Sequence, residues 1–191
     1  MGMVDTLGPM RNTALCMGVL AAVVAVGGCG SGQAQVAGSA APSTTTGKAA
    51  TSTSVAVPGE PAPVSAGQCP YLASSFVEDA NGEKVTKVMV SADKPHPACF
   101  FYSFGNDKQM TVQVYVGDAG AATALVNKVA PIETSDKAEL PGGWAGGSEA
   151  TGGGAVYAVA KAGNAVVVTT DQKQTIKAKQ VAKQAIAALG L

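Results

Sequence analysis

Read for apolar and polar positions, the chain divides into an apolar run, a long unpatterned stretch and a remainder in which helical and strand periods alternate. Ala14–Val26 is apolar throughout. Gly30–Gln68 shows no period. Beyond Cys69, Tyr71–Asp79 reads as a short helix, with Pro70 before it and Asn81-Gly82 closing it. Lys84–Ser91 reads as a strand through Val85, Val88 and Val90. The loop Ala92–Ala98 holds Pro95-His96-Pro97, which does not fit a strand interior. Cys99–Phe104 is an aromatic strand. Met110–Val116 alternates most cleanly, with Met110, Val112, Val114 and Val116 on one face and Thr111, Gln113 and Tyr115 on the other.

Asp118 is a good N-cap for a helix over Ala119–Ala130, whose apolar stripe is Ala122, Leu125, Val126 and Val129; Pro131 stops it. Pro141–Gly154 is rich in glycine, holds the single tryptophan, Trp144, and reads as a mobile surface loop. Strands Ala155–Ala160 and Ala165–Thr170 follow, joined through Gly163-Asn164, a hairpin signal. The last helix, Gln172–Leu189, puts Ala178, Val181, Ala182, Ala185 and Leu189 on one face and Lys173, Lys177, Lys179 and Lys183 opposite. The order α-β-β-β-α-β-β-α with short connections predicts an α+β domain: a five-stranded, mostly antiparallel sheet packed by helices.

The apolar run ends at Val26-Gly27-Gly28-Cys29, small residues followed at once by a cysteine, which is the pattern of a bacterial lipoprotein signal. Its 13 residues suit a signal-peptide core and fall short of the roughly 18 needed for a membrane span. Arg11 supplies the positive flank. Asp5 fits that flank poorly, so Met10 is an alternative start to Met1. The expectation is a signal peptide over residues 1–28 and lipid on the Cys29 thiol. The mature chain would then be anchored at the outer face of the cytoplasmic membrane. Met1-Gly2-Met3-Val4-Asp5-Thr6 also fits a myristoylation pattern, but an export signal would remove it.

Residues 29–68 then read as the lipidated cysteine and a tether. The 39 residues from Gly30 to Gln68 contain 11 Ser or Thr, four Pro and two charges, Lys48 and Glu60. With little large and apolar to bury, such a segment is expected to stay disordered. Residues 69–191 remain as one globular domain, long enough for a single core.

Charge and cysteine usage narrow the field. The chain has 13 basic and 13 acidic residues; without Arg11 and Asp5 of the signal, 12 of each remain. A neutral balance leaves no electrostatic footprint for nucleic acid. Of four cysteines, Cys16 leaves with the signal and Cys29 takes lipid. Cys69 and Cys99 form an even pair in an oxidising compartment and are read as a disulfide. The loop-entropy model assigns a closure of that length roughly 3.5 kcal/mol.

Candidate chemistry is sparse. The lone His96 sits between prolines with no carboxylate spaced to orient it, and Glu78-Asp79 are helix neighbours that do not face each other. No catalytic residue, metal site or cofactor motif is assigned. The glycines at 142–143, 146–147 and 152–154 contain neither GxGxxG nor a GK[ST] ending. Trp144, Phe100 and Tyr102 are the candidates for ligand or partner contact: Trp144 as the aromatic platform of a binding lip, the functional alternative to a surface loop for the glycine-rich stretch, and Phe100 and Tyr102 because the aromatic set exceeds what one sheet face needs.

Cys69-Pro70-Tyr71-Leu72, Ala98-Cys99-Phe100-Phe101-Tyr102 and Thr111-Val112-Gln113-Val114-Tyr115-Val116 resemble a family of actinobacterial cell-envelope proteins, many of them lipoproteins of mycobacteria and relatives. So do Ala155-Val156-Tyr157-Ala158-Val159 and Val166-Val167-Val168-Thr169-Thr170-Asp171-Gln172. The family is known only as a domain of unknown function. The resemblance covers about Gln68–Leu191 and implies an envelope setting and no activity.

The expected function is therefore non-enzymatic: a membrane-anchored module that binds an envelope protein or a cell-wall component. The alternative is a carrier of an apolar envelope lipid in a hollow between sheet and helices. A wall-polymer hydrolase, its residues meeting only in three dimensions, is the third reading.

Overall fold

A computed structural model of the chain describes residues 56–191. The expected signal segment, Cys29 and the tether up to residue 55 lie outside the described residues. The elements run β1 (Ser65–Ala66), α1 (Ser74–Asn81), β2 (Lys87–Val90), β3 (Cys99–Tyr102), β4 (Lys108–Val116), α2 (Ala119–Val129), β5 (Asp136–Leu140), β6 (Trp144–Thr151), β7 (Gly154–Lys161), β8 (Asn164–Thr170) and α3 (Thr175–Leu189). The α+β class stands, but the sheet has eight strands, where the sequence reading expects five. Their order is β1-β2-β3-β4-β8-β7-β6-β5, and every pairing is antiparallel. Two four-stranded meanders thus meet at the β4–β8 seam, with α2 carrying the chain from one to the other.

The three additional strands escape the apolar pattern for separate reasons. β1 lies in the stretch read as tether and joins the sheet through backbone pairing alone: Val64 N–H donates to Val90 O and Gly67 N–H to Val88 O. Backbone pairing needs no apolar side chain, so low complexity does not forbid it. β5 is an edge strand of alternating character, with Ala138 and Leu140 buried and Lys137 and Glu139 exposed as an ion pair. β6 runs through the glycine-rich stretch expected to be a loop.

The glycines of β6 answer to what lies on top of them. A Cβ at Gly146 would strike the Ala158 carbonyl and come within 2.8 Å of Val126 Cγ1 of α2; one at Gly147 would strike Ser135 Oγ and the Ala130 carbonyl. Gly152 and Gly153, at the tip of the β6–β7 hairpin, have open space around them.

Helices cover the sheet on both faces. α1 and α3 lie on one, where Val77, Ala178, Val181, Ala182 and Ala185 pack on Phe101, Met110, Val112, Val159, Val166 and Val168. α2 lies on the other, where Ala122, Leu125 and Val126 pack on Val156, Ala158, Ala165 and Val167. β7 and β8, in the second meander, are therefore apolar on both sides. β4 is valine-rich toward α1 and α3, while its other face carries Thr111 and Gln113, with Tyr115 at its end packing against the α2 cluster. As its sequence suggests, Asp118 caps α2 and accepts from Ala121 N–H at 2.9 Å.

Helix α1 starts later than the Tyr71 expected, because Tyr71 is drawn across the sheet end. Its hydroxyl donates to Pro97 O at 2.9 Å and to Val112 O at 3.3 Å. The Cys69–Cys99 disulfide is formed, with Cα atoms 5.6 Å apart, and pins this entry to the start of β3. At its other end α1 is held by a buried polar network. Asn81 Nδ2 donates to Gln109 Oε1 and Asp171 Oδ1, Thr170 Oγ1 donates to Asn81 Oδ1, and Lys177 Nζ donates to Asn81 O. All of these groups are partnered, so the network fastens α1 and α3 to the ends of β4 and β8.

Candidate functional site

The site follows from the mismatch between eight strands and one covering helix. α2 lies over the second meander and leaves the α2-side face of β3 and β4 without a helix. Pairing registers place Phe100, Thr111, Thr169, Val156 and Glu149 directly opposite one another on β3, β4, β8, β7 and β6. They form one transverse row, roughly 19 Å long at the usual strand spacing. This row floors a cleft of about 340 Å³ walled by Leu125, Lys128 and Val129 of α2 on one side and by Pro58–Pro61 on the other. A second recess of about 280 Å³ shares Lys108, Thr111, Thr151, Val156 and Thr169 with it and extends the groove to Gly153 at the β6–β7 tip.

The lining is mixed. Phe100, Leu125, Val129, Val156 and Val167 supply apolar surface. Thr111, Gln113 and Thr169 supply hydroxyl and carboxamide groups, and Lys108, Lys128, Glu60 and Glu149 charge the rim. None of these four charges belongs to an ion pair among the described residues. Thr111 Oγ1 is buried at the floor with no hydrogen-bond partner, a state that costs free energy unless something in the groove satisfies it. Gln113 Nε2 instead donates to Gly59 O at 3.1 Å, which holds the Pro58–Pro61 wall in place.

The aromatic residues singled out from sequence separate. Phe100 sits in the groove floor and is 2 % exposed, although it belongs to neither helix-packed core. The Pro58–Pro61 segment lines the same groove, and Lys108 Nζ lies 6.0 Å from the Phe100 ring centre. Tyr102 is half-buried outside the groove lining, with Lys87 Nζ 4.2 Å from its ring centre. Trp144 is a correction to the platform reading. It is 2 % exposed and packs in the α1/α3 core, on the far side of the sheet from the groove, with Lys161 Nζ 5.3 Å from its ring centre. The glycine-rich stretch still reaches the groove, at Glu149, Thr151 and Gly153 and not at its tryptophan.

Sequence reading passed over Thr111, Gln113, Thr169, Glu149 and the two prolines 58 and 61. The available signal was the polar half of β4. A strand at the centre of a wide sheet that keeps threonine and glutamine on one face announces a face without a helix.

Several other titratable groups have structural partners. Burial raises the Tyr71 hydroxyl well above its ordinary range and pushes the Tyr157 hydroxyl up to about 12, while Tyr157 donates to Glu139 O at 3.0 Å. The Lys84 ammonium beside Glu78, at 2.7 Å, lowers that carboxyl. His96 meets the Tyr71 ring edge-on at 6.4 Å. Among the described residues no three His, Cys, Asp or Glu side chains gather as metal ligands, and no helix is long and apolar enough to cross a membrane.

Residues 55–191 match the model of a family described as a domain of unknown function, DUF2020. The chain belongs to this family. No curated protein matches it.

Proposed function

We propose that this family member is a cell-envelope lipoprotein, anchored by lipid on Cys29, whose domain binds a small amphipathic cell-wall component in the transverse groove. The anchor and the extracytoplasmic, actinobacterial setting rest on Val26-Gly27-Gly28-Cys29 and on the resemblance of the sequence motifs. The binding reading rests on one observation: a central sheet face left without a helix, at whose floor the buried Thr111 hydroxyl has no partner. A ligand with an apolar body and hydroxyl or amide groups would meet the apolar wall of α2 and satisfy Thr111, Gln113 and Thr169 together. The module is not an enzyme on this reading, and it needs no cofactor.

Native mass spectrometry of the full chain, purified from an actinobacterial envelope and then incubated with soluble wall fragments, tests this. A discrete adduct present in the natural chain and absent from Thr169→Trp, which fills the groove, supports the proposal. An adduct that survives the substitution, or none with any fragment, overturns it.

The second reading, a carrier of an apolar envelope lipid, is favoured by the apolar wall formed by Leu125, Val129, Val156 and Val167. An adduct of lipid mass that extracts into organic solvent and disappears in Thr169→Trp would select it.

A further inference from the structure

We propose that Pro58-Gly59-Glu60-Pro61 is a displaceable strap, a stand-in occupant of the groove that regulates access to it; this rests on the groove's being a ligand site. The strap lies in the segment whose composition reads as tether, yet it forms one wall of the groove that Phe100 also lines, and Phe100 belongs to neither helix-packed cluster. It is lightly held. Its one side-chain hydrogen bond among the described residues is Gln113 Nε2 to Gly59 O, Pro58 and Pro61 are half-buried, and Gly59 and Glu60 are exposed. Its two prolines have no N–H with which to pair to the sheet, and strand pairing among the described residues begins only at Val64.

The attachment is asymmetric. On the C-terminal side the chain is fixed at once, by the β1 pairing at Val64 and Gly67 and then by the Cys69–Cys99 disulfide. On the N-terminal side the described residues that precede the strap, Ala56 and Val57, are exposed. A pull from that side, or a ligand competing for the floor, acts on the single Gln113 bond before it reaches β1. The disulfide sets the limit of any peeling. Lifting the strap uncovers Phe100, Thr111 and Gln113 together and joins them to the open part of the groove. One weakly held segment therefore switches the floor between a covered and an open form.

The test uses the full chain with Cys16 and Cys29 changed to serine, so that a new thiol at Thr111→Cys is the one free to react. Its rate with a maleimide is compared with and without the strap-releasing pair Pro58→Gly and Pro61→Gly. The expected result is an acceleration of about tenfold or more, while a thiol at Val116→Cys, exposed and outside the groove lining, reacts equally in both backgrounds. Equal rates at position 111 overturn the strap. Should Thr111→Cys fail to fold, fluorine-labelled phenylalanine in the unaltered groove replaces it. Of the four phenylalanine signals, the Phe100 resonance alone should gain solvent exposure in the released variant; an unchanged Phe100 signal overturns the proposal. Titration with anilinonaphthalene sulfonate and with wall fragments separates the two claims. Faster labelling with no binding to either form keeps the strap and removes the ligand reading, whereas binding with unchanged labelling removes the strap.

Discussion

The two faces of the sheet are built from the same strands and finished differently. On one, α1 and α3 lie side by side, and the small residues Ala178, Ala182 and Ala185 of α3 let that helix sit close on the valines of β7 and β8. The Tyr71 hydroxyl, the disulfide and the Asn81 network seal its ends. On the other, α2 covers only the second meander, and a few residues of extended chain close the remainder. The sealed face secures stability, and the half-covered face keeps polar groups at a floor where they can meet something else. Phe100 and Phe101 make the contrast within one dipeptide: neighbours in β3, both buried, one facing the strap and one facing the helices.

Substitutions at that pair give the largest expected effects. Phe101→Ala opens a cavity in the sealed core and should cost about 3–5 kcal/mol in urea unfolding of the oxidised chain. Phe100→Ala should cost about half as much or less, because the strap and Lys108 can collapse onto the gap, as the dependence on relaxation implies. Equal losses would break the distinction between the faces.

The glycine-rich stretch offers the next comparison. Gly146→Ala forces a methyl group against the Ala158 carbonyl and Val126, and should destabilise by about 1–3 kcal/mol. Gly152→Ala meets nothing and should fall within about 0.5 kcal/mol of the natural chain. A neutral Gly146→Ala would mean that α2 is not pressed onto β6.

Alkaline titration reports on the sealed side. The folded state raises the hydroxyls of Tyr71 and Tyr157, so it holds protons that the unfolded chain has released. Their contribution is whole below the unfolded value near 10 and is lost as pH rises from there through about 12 for Tyr157. The thermal midpoint should therefore fall between pH 9 and pH 11 by less in Tyr157→Phe than in the natural chain. An identical fall would show that Tyr157 is not the group responsible.

The smallest expected change sharpens the open face. Thr111→Val removes a buried hydroxyl without a partner and should leave stability unchanged or raise it by about 0.5–1 kcal/mol. A loss above about 1 kcal/mol would mean that the hydroxyl is bonded inside the fold.

Local pattern carried much of this molecule. The alternation of Met110–Val116, the Asp118 cap, the stripes of α2 and α3 and the pairing of Cys69 with Cys99 were all legible, since each depends on residues close in the chain or on a simple count of thiols. The β7–β8 hairpin was legible with a one-residue shift: the turn falls at Ala162-Gly163, with Lys161 opposite Asn164. Strand β6 was not legible, because its glycines reflect Val126, Ala130 and Ala158, residues up to twenty positions away that only packing brings overhead. β1 and the strap were not legible either, since their places are set by backbone pairing to β2 and by Gln113.

The groove is the clearest case of what the chain alone left undetermined. The sequence by itself settled that Thr111 and Gln113 point away from the Met110, Val112 and Val114 face of their strand, because side chains alternate along a strand. Whether that other face meets solvent, a helix or a ligand site depended on strand order, and on α2 lying over β7 and β8 and not over β3 and β4. Tertiary structure decided it, because a row of residues on five strands becomes a surface only when hydrogen bonding fixes which strands are neighbours and in what register.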